Sequence, residues 1–169
     1  MRIAIHQPNY FPWLGYFYKI WASDKFVFHD NVEFTKKSYT KRVFIRKSPD
    51  SHLSQYLSVP LRQHSDFDLI KNLTICNNIN WQEKHINKIY YVYHRTPFFA
   101  EYFPILKQSL LKSEENNFLS DINAQLITTI SDFIGIKTPF FFSSQLPLKV
   151  AKADVYNAEI AHFFRLMNI

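Results

Sequence analysis

The first twenty residues constrain the fold of this chain more than any other segment. Residues 3–5 are apolar and predict a short buried strand, whereas residues 13–23 repeat apolar side chains at helical spacing. Between them lies a polar segment that begins at His6 and is bracketed by Pro8 and Pro12. Polar side chains at the exit of a buried strand, just before a helix, stand where α/β proteins bind ligands. The opening segment therefore predicts both the start of a sheet and a functional site.

The rest of the pattern predicts one α/β domain, with strands mainly in the N-terminal half and amphipathic helices after them. A strand at 26–28, reached through the first helix, favours a βαβ crossover and a small, mostly parallel sheet. Further strands are predicted at 42–47, 56–61, 73–76 and 140–142, and further helices at 81–95, 98–111, 118–134 and 155–169. Asn80 is the expected cap of the second helix, and Gly135 is the expected end of the fourth. In the first helix, the repeat of Trp13, Phe17, Ile20 and Trp21 predicts an apolar stripe.

Composition excludes several kinds of site. The 169 residues include only two glycines, so no glycine-rich phosphate loop can be written, and no CxxC or HExxH spacing is present. We therefore expect neither a metal nor a cofactor. Cys76 is the single cysteine, which excludes an internal disulfide and suits a reducing compartment; we expect it in a buried strand. No apolar run approaches a membrane-spanning length, so we expect a cytoplasmic protein without membrane insertion.

Basic residues are concentrated in one stretch of the chain. Between Phe34 and Ser48 there are six bases and no acid, within a formal net charge of +6. Such a stretch forms either a solvated basic face or a site for an anion, such as a nucleotide diphosphate, phosphopantetheine or an RNA backbone. Lys37 and Arg42 are the predicted anion ligands, because the planar Arg42 fork suits phosphate or carboxylate. The aromatic residues lie mostly on apolar stripes rather than among the bases, which disfavours binding to DNA or RNA.

His6 is the predicted general base, since a neutral imidazole can take a proton from an incoming amine or hydroxyl. The alternative is a histidine that only bonds to a backbone carbonyl as the chain turns. Asp30, after the second strand, is expected at the same sheet edge, where it would orient His6, bind a substrate amine or simply form a turn. Gln7 and Asn9 are expected to recognise sugar hydroxyls or an amide, unless they serve turn geometry.

Two groups later in the chain complete the predicted site. Trp81, Lys84 and His85 share one face at the start of a helix, where they would place a cation and a proton carrier beside an anion. The alternative is a tryptophan packed in the core, with Lys84 in solvent. Ser143 and Ser144 follow the last strand and are predicted to hydrogen-bond to substrate. Neither is flanked by the glycines of the tight turn that presents a nucleophilic serine.

The opening motif reads His6-Gln7-Pro8-Asn9-Tyr10-x-Pro12-Trp13-x-Gly15-Tyr16-Phe17-x-Lys19-Ile20. It resembles the WbqC-like family, which is found with bacterial polysaccharide and O-antigen synthesis, and the likeness continues more loosely to Ser143-Ser144. The resemblance implies a transferase that adds an amino acid of the glycine type, or another acyl group, to an amino sugar. Tyr10 and Trp13 join the predicted substrate contacts as members of this motif.

Two functions are compatible with these patterns. The first is a transferase that acts on a nucleotide-linked amino sugar or another small anionic substrate and takes its group from an acyl or aminoacyl carrier. The alternative is a non-catalytic protein that binds a nucleotide sugar or a glycan intermediate of the same pathway. Because the family pattern extends further than Ile169, residues 1–169 are expected to form a single WbqC-like domain that is truncated at its C-terminus.

Overall fold

The computed structural model describes residues 1–65, 67–112, 117–147, 159–160 and 162–165, and it shows the predicted mixed α/β fold. Its strands are Ile3–His6 (β1), Lys25–Phe28 (β2), Arg42–Arg46 (β3), Ser54–Ser58 (β4) and Phe140–Phe142 (β5). Its helices are Leu14–Trp21 (α1), Trp81–Tyr93 (α2), Phe99–Lys112 (α3) and Leu119–Phe133 (α4). The helices after α1 all lie in the C-terminal half, as the sequence predicts.

The first sheet has the strand order β1-β2-β5, and both of its strand pairs are parallel. His6 is in register with Phe28, and Phe28 is in register with Phe142. All four residues of the central strand β2 are buried, which explains why Lys25 is followed by three apolar residues in a row. Because parallel strands end at the same edge, the residues that follow β1, β2 and β5 meet there.

Apolar side chains cover both faces of this sheet. On one face, α1 and α4 contribute Phe17, Ile20 and Ile127 to a buried cluster. On the other face, Ile160 and Phe164, which are helical, pack against Val27. The sheet is therefore a middle layer between helical segments, an arrangement typical of α/β proteins.

The second sheet is the antiparallel hairpin β3–β4, in which Phe44 pairs with Tyr56. Side chains alternate across the two faces of a strand, so Val43 and Ile45 lie on the same face. They pack in a second apolar cluster, which includes Ile86 of α2 and Ile122 of α4. Phe44 and Tyr56 occupy the outer face. The hairpin thus has a carbon-rich inner face and an aromatic outer face.

The helix ends confirm two local predictions. The Asn80 side chain accepts a hydrogen bond of 3.3 Å from the backbone N–H of Glu83, which caps α2. Gly135 has φ +79°, and the N–H of Ile136 donates to the Ser131 carbonyl at 2.8 Å. This bond closes α4 in a Schellman motif, which needs a left-handed residue and so favours glycine.

Several predicted strand and helix boundaries are wrong. The strand expected at 56–61 lies at Ser54–Ser58, and residues 73–76 form isolated bridges through Thr74 and Ile75 instead of a strand. Cys76 is half-buried beside these bridges and donates to the Asn78 amide oxygen at 2.7 Å. Most of the helix predicted at 155–169 lies outside the described residues. No helix in the described ranges has the length and apolarity needed to cross a membrane.

The predicted apolar stripe of α1 is wrong at two positions. Trp13 is 58% exposed and Trp21 is 65% exposed, whereas Tyr16, Phe17 and Ile20 are buried. Helical spacing identifies a stripe, but neighbouring stripes on this aromatic helix are also apolar, and contact with the sheet selects the one that is buried. The aromatic ring of Trp13 is therefore free to take part in the site.

Candidate functional site

His6 stands at the exit of β1, where its Nδ1 is fixed by a hydrogen bond and its Nε2 has no such bond among the described residues. Its Nδ1 lies 3.0 Å from the backbone oxygen of Gln7. A carbonyl oxygen only accepts, so Nδ1 carries the proton and the neutral ring presents the lone pair of Nε2. The carbonyl bond that the sequence left as an alternative is thus present, and it also sets the tautomer that a general base requires.

The surroundings of His6 hold its imidazole in the neutral form. Burial lowers its pKa below the ordinary value of 6.5, the Gln7 backbone bond opposes this shift, and the nearby positive charge of Lys19 lowers the pKa further. Lys19 is anchored by a 2.8 Å hydrogen bond from Nζ to the Ile5 carbonyl. A neutral base at pH 7 is the state that can accept a proton from substrate.

Two aromatic rings enclose His6 from the side of α1. The rings of Tyr16 and Trp13 lie edge-on to the imidazole, with centroids 4.9 Å and 6.0 Å away. Tyr16 also donates its hydroxyl to the Gln7 carbonyl at 2.9 Å. A Cβ atom on Gly15 would come within 2.6 Å of the Trp13 indole nitrogen. Gly15 therefore leaves the space that lets the Trp13 ring reach His6.

His29 lies next to His6 at the same sheet edge. Its backbone N–H donates to the His6 carbonyl at 2.8 Å. Burial lowers the pKa of His29, the Asp30 carboxylate raises it, and His6 lowers it. The two imidazoles therefore interact electrostatically, and protonation of one disfavours protonation of the other.

Asp30 is buried and bound by the two serines that follow β5. Its carboxylate accepts hydrogen bonds from the Ser143 hydroxyl at 2.9 Å, the Ser144 backbone N–H at 2.9 Å and the Ser144 hydroxyl at 2.6 Å. Ser143 in turn accepts from the backbone N–H of Asp30 and of Asn31. The structure thus brings together all three predicted residues. The carboxylate bonds to the two serines, and no hydrogen bond joins it to His6 among the described residues, so of the roles left open for Asp30 the orienting of His6 is not seen.

The polar residues after His6 are tied to the segment before β3. Thr40 donates to the Gln7 side-chain oxygen at 3.5 Å. Asn123 of α4 donates through Nδ2 to the carbonyls of Pro8 and Thr40, at 2.8 Å and 2.7 Å. Asn9 is buried, and its backbone bonds to the Tyr16 hydroxyl. The loop that carries the motif is thereby fixed to the start of the basic stretch.

Tyr10 and the group on α2 lie in the core. Tyr10, Trp81 and His85 are buried, and the Tyr10 hydroxyl lies 2.7 Å from the His85 Nδ1. Lys84 is exposed on the same helix. This placement matches the packed-tryptophan alternative, and it gives Tyr10 and His85 a shared role in anchoring the opening loop.

Arg42 lies on the outer face of the hairpin in an exposed aromatic group, which we call the hairpin platform (Tyr39, Arg42, Phe44 and Tyr56). Phe44 and Tyr56 are 45% and 44% exposed, and their rings stack with centroids 3.9 Å apart. The Arg42 guanidinium lies 4.3 Å from the Tyr56 ring centroid and donates to the Lys37 carbonyl at 2.8 Å. Aromatic and basic residues are thus interleaved here, contrary to the expectation from sequence, because strand pairing joins residues that are distant in the chain.

Around His6, Tyr16, Lys19, His29 and Thr40 were not singled out from the sequence, and neither were the platform residues Tyr39, Phe44 and Tyr56. Tyr16 and Lys19 belong to the opening motif, so their position was visible although their role was not. His29 directly precedes Asp30 at a strand exit, which is the signal that selected His6. Within the described residues, no group of three or more His, Cys, Asp or Glu side chains is placed to hold a metal ion.

Comparison with known proteins gives one family and one relative. A family model described as the WbqC-like protein family matches residues 7–165. A Mycobacterium tuberculosis protein (strain ATCC 25618 / H37Rv) named "Uncharacterized protein Rv1507c" is 30% identical over 137 residues, which are 81% of this chain and 58% of that protein. The chain thus spans less than two thirds of that relative's length. No solved structure matches.

Proposed function

The chain belongs to the WbqC-like protein family, and on that premise we propose that it transfers an acyl or aminoacyl group to the amine of an amino sugar in cell-surface polysaccharide synthesis. The observation that carries the proposal is the state of His6. Its Nδ1 proton is held by the Gln7 carbonyl, and a lowered pKa keeps the ring neutral. Nε2 is therefore a base that is ready at neutral pH.

The proposed step forms one bond and breaks one. The sugar amine attacks the carbonyl carbon of the donor, and the bond from that carbon to its carrier sulfur or oxygen breaks. His6 Nε2 takes the proton that the amine loses and returns it to the departing carrier atom. The Tyr16 N–H in the first turn of α1 donates to the Trp13 carbonyl at 2.9 Å, so the N–H groups of Leu14 and Gly15 are the ones that would stabilise the developing oxyanion.

The hairpin platform would hold the nucleotide of a nucleotide-linked amino sugar. The stacked Phe44 and Tyr56 rings offer a flat face for a base, and Arg42 and Lys37 offer positive charge for the diphosphate. The buried Thr40 donates to the Gln7 side chain and so fixes the segment that precedes the platform to the loop after His6. The amine of the acceptor would reach His6 while its nucleotide lies on the platform.

The test is a reconstituted reaction with defined probes. The purified chain would be incubated with uridine- or thymidine-diphosphate amino sugars and with acetyl-coenzyme A or glycyl-tRNA, and the amide product would be sought by mass spectrometry. We expect product from the unmodified chain and at least a hundredfold less from His6→Ala. His52→Ala, an exposed histidine in the loop between β3 and β4, is the matched control and should keep full activity. Full activity in His6→Ala would overturn the role of the base.

One observation favours the non-catalytic alternative. The Asp30 carboxylate is bound by Ser143 and Ser144, so the described contacts give His6 no carboxylate partner of the kind that strengthens a catalytic histidine. A nucleotide-sugar carrier would show the same platform and no turnover. Calorimetric binding of the nucleotide sugar, combined with no product from any donor tested, would select this alternative.

A further inference from the structure

A pocket lined by amide side chains lies beside the first turn of α2. It has a volume of about 430 Å³, which is within the size range of small-molecule sites. Its lining residues among those described are Asn77, Asn78, Ile79, Asn80 and Gln82. None of them belongs to the hairpin platform or to the residues assigned to the His6 site. The pocket therefore has no part in the function proposed above.

The side-chain amide of Gln82 has no hydrogen-bond partner among the described residues, although Gln82 is only 4% exposed. Almost every buried polar side chain in a protein has such a partner, because an amide taken out of water without one costs free energy. Gln82 lines the pocket, so its oxygen and its N–H₂ group bond to whatever fills that pocket. Gln82 thus marks the pocket as a binding site.

Two asparagines of the pocket are held in place by neighbouring residues. Asn80 accepts from the backbone N–H of Glu83 and donates through Nδ2 to the Glu83 carboxylate at 2.7 Å. Asn77 donates through Nδ2 to the Asn117 side-chain oxygen at 3.2 Å. These bonds fix the wall of the pocket. They use both ends of the Asn80 amide and leave the side-chain oxygen of Asn77 for a ligand.

The third asparagine, Asn78, is oriented by a thiol. The Cys76 Sγ donates to the Asn78 side-chain oxygen at 2.7 Å, so the N–H₂ group of Asn78 is the end left for a ligand. The pocket thus offers an acceptor at Asn77, a donor at Asn78 and one of each at Gln82.

These groups fit a neutral ligand that carries several hydroxyls. Each sugar hydroxyl both donates and accepts, so adjacent hydroxyls match the mixture of amide oxygens and N–H₂ groups. The described lining residues include no charged side chain that would bind a phosphate and no aromatic ring on which a nucleobase would stack. Ile79, which is 41% exposed, offers an apolar contact for the C–H groups of a sugar ring.

We propose that this pocket binds a neutral sugar through Asn77, Asn78 and Gln82. The proposal does not rest on the transfer reaction, because none of these residues has a role in that reaction. A site of this kind would let the chain hold an uncharged glycan unit in addition to the nucleotide-linked amino sugar.

The test is an NMR titration of the isotope-labelled full chain that follows its side-chain N–H₂ signals. Glucose, galactose and N-acetylglucosamine would be added separately. We expect at least one of them to shift the Asn78 and Gln82 signals until they saturate, while the signal of Asn87, which is exposed on α2 outside the pocket, stays in place. No saturable shift with any of the three sugars would overturn the proposal. Amides also recognise adenine and peptide groups, so tighter binding of adenosine or glycylglycinamide at this pocket would overturn the sugar as its ligand.

Substitution of Gln82 separates binding from structure. Leucine has a similar size and no polar group, so Gln82→Leu should melt at the same or a higher temperature and bind the sugar at least tenfold more weakly. A clearly lower melting temperature would assign Gln82 a structural role and overturn the proposal. So would a folded Gln82→Leu chain that binds the sugar normally.

Asn78→Ala tests the same site at an exposed residue, where the fold is not at risk. We expect it to weaken sugar binding severalfold, and unchanged binding would overturn the role of Asn78. Asn87→Ala removes an exposed amide of α2 outside the pocket and is the matched control, which should bind normally. Sugar binding without any amide product would support this site and count against the transferase, and amide product without sugar binding would do the reverse.

Discussion

The hydroxyl oxygen of Tyr10 lies 2.7 Å from Nδ1 of His85, and the two buried side chains share one hydrogen bond. Burial raises the pKa of Tyr10 well above its ordinary value and lowers the pKa of His85 to about 4, while a bond to the Ser58 backbone partly opposes the second shift. The pair is therefore uncharged at neutral pH. The hydrogen bond connects the loop that follows His6 to α2. Protonation of His85 should therefore loosen the contact between this loop and α2.

Stability should fall as the pH drops from about 6.5 to about 4. In this window the unfolded chain binds a proton at His85 while the folded chain does not, so acid favours the unfolded state. With a folded pKa of about 4 against an ordinary value of 6.5, this one group lowers the free energy of unfolding by about 3 kcal/mol at the acid end. Urea unfolding at pH 7 and pH 4.5 would measure the loss. His85→Gln should lose clearly less stability than the unmodified chain over the same interval; an identical loss would assign the effect to other groups.

Gly15→Ala should stabilise the fold and weaken the site. Alanine favours the helical state over glycine by about 0.5–1 kcal/mol at an exposed helix position. The new Cβ would approach the Trp13 indole nitrogen to 2.6 Å, so the exposed Trp13 ring must move away from His6. Urea unfolding should show the gain, and transfer activity should fall severalfold with a shifted tryptophan emission. Unchanged activity would show that the contact between Trp13 and His6 is dispensable.

Lys19→Met should raise the pKa of His6. The positive charge of Lys19 lowers that pKa, so its removal lets the imidazole hold a proton to higher pH. The pH profile of activity should then shift toward alkaline values, because the His6 imidazole loses its proton, and can act as a base, only at higher pH. Proton NMR of the His6 ring would follow the change directly. Lys47→Met, an exposed lysine far along the chain, is the control; a fall in the His6 pKa in Lys19→Met would contradict the assignment.

Asp30→Asn should destabilise the fold by about 3 kcal/mol, because an amide N–H₂ would face donors that now bond to a carboxylate oxygen in a buried position. Ser144→Ala should cost about 1.5 kcal/mol, since one charge-assisted hydrogen bond is lost. Asp50→Asn, which is exposed, should stay within about 0.5 kcal/mol of the unmodified chain. Chemical unfolding measures all three. If Asp30→Asn kept full stability and lost all activity, the role of Asp30 would be catalytic and not structural.

The parts of the fold that could be predicted are those that local pattern determines. Residues 26–28 are three apolar residues in a row, and a central strand buried on both faces requires such a run. Asn80 and Gly135 also mark helix ends through chemistry that acts within a few residues. The edge where His6 and Asp30 meet followed from the rule that parallel strands end together.

The parts that could not be predicted depend on contacts between distant residues. Asp30 and Ser144 are 114 positions apart, and nothing in either local sequence shows that they bond to each other in preference to substrate. The stack of Phe44 on Tyr56 depends on the hairpin register, and the predicted strand at 56–61 was displaced from its true position. The exposure of Trp13 depends on which stripe of α1 meets the sheet.

The hydrogen bonds between Asp30 and the two serines after β5 have a consequence for synthesis on the ribosome. Strand β2 can pair with β1 as soon as residue 28 has emerged, but its other edge stays open until β5 is made more than a hundred residues later. During that interval Asp30 lacks its hydroxyl partners, and the apolar residues 26–28 of β2 have one unpaired edge. Such long-range parallel pairing is slow and leaves intermediates prone to aggregation. The nascent chain should therefore depend on chaperones until residues 140–144 close the sheet.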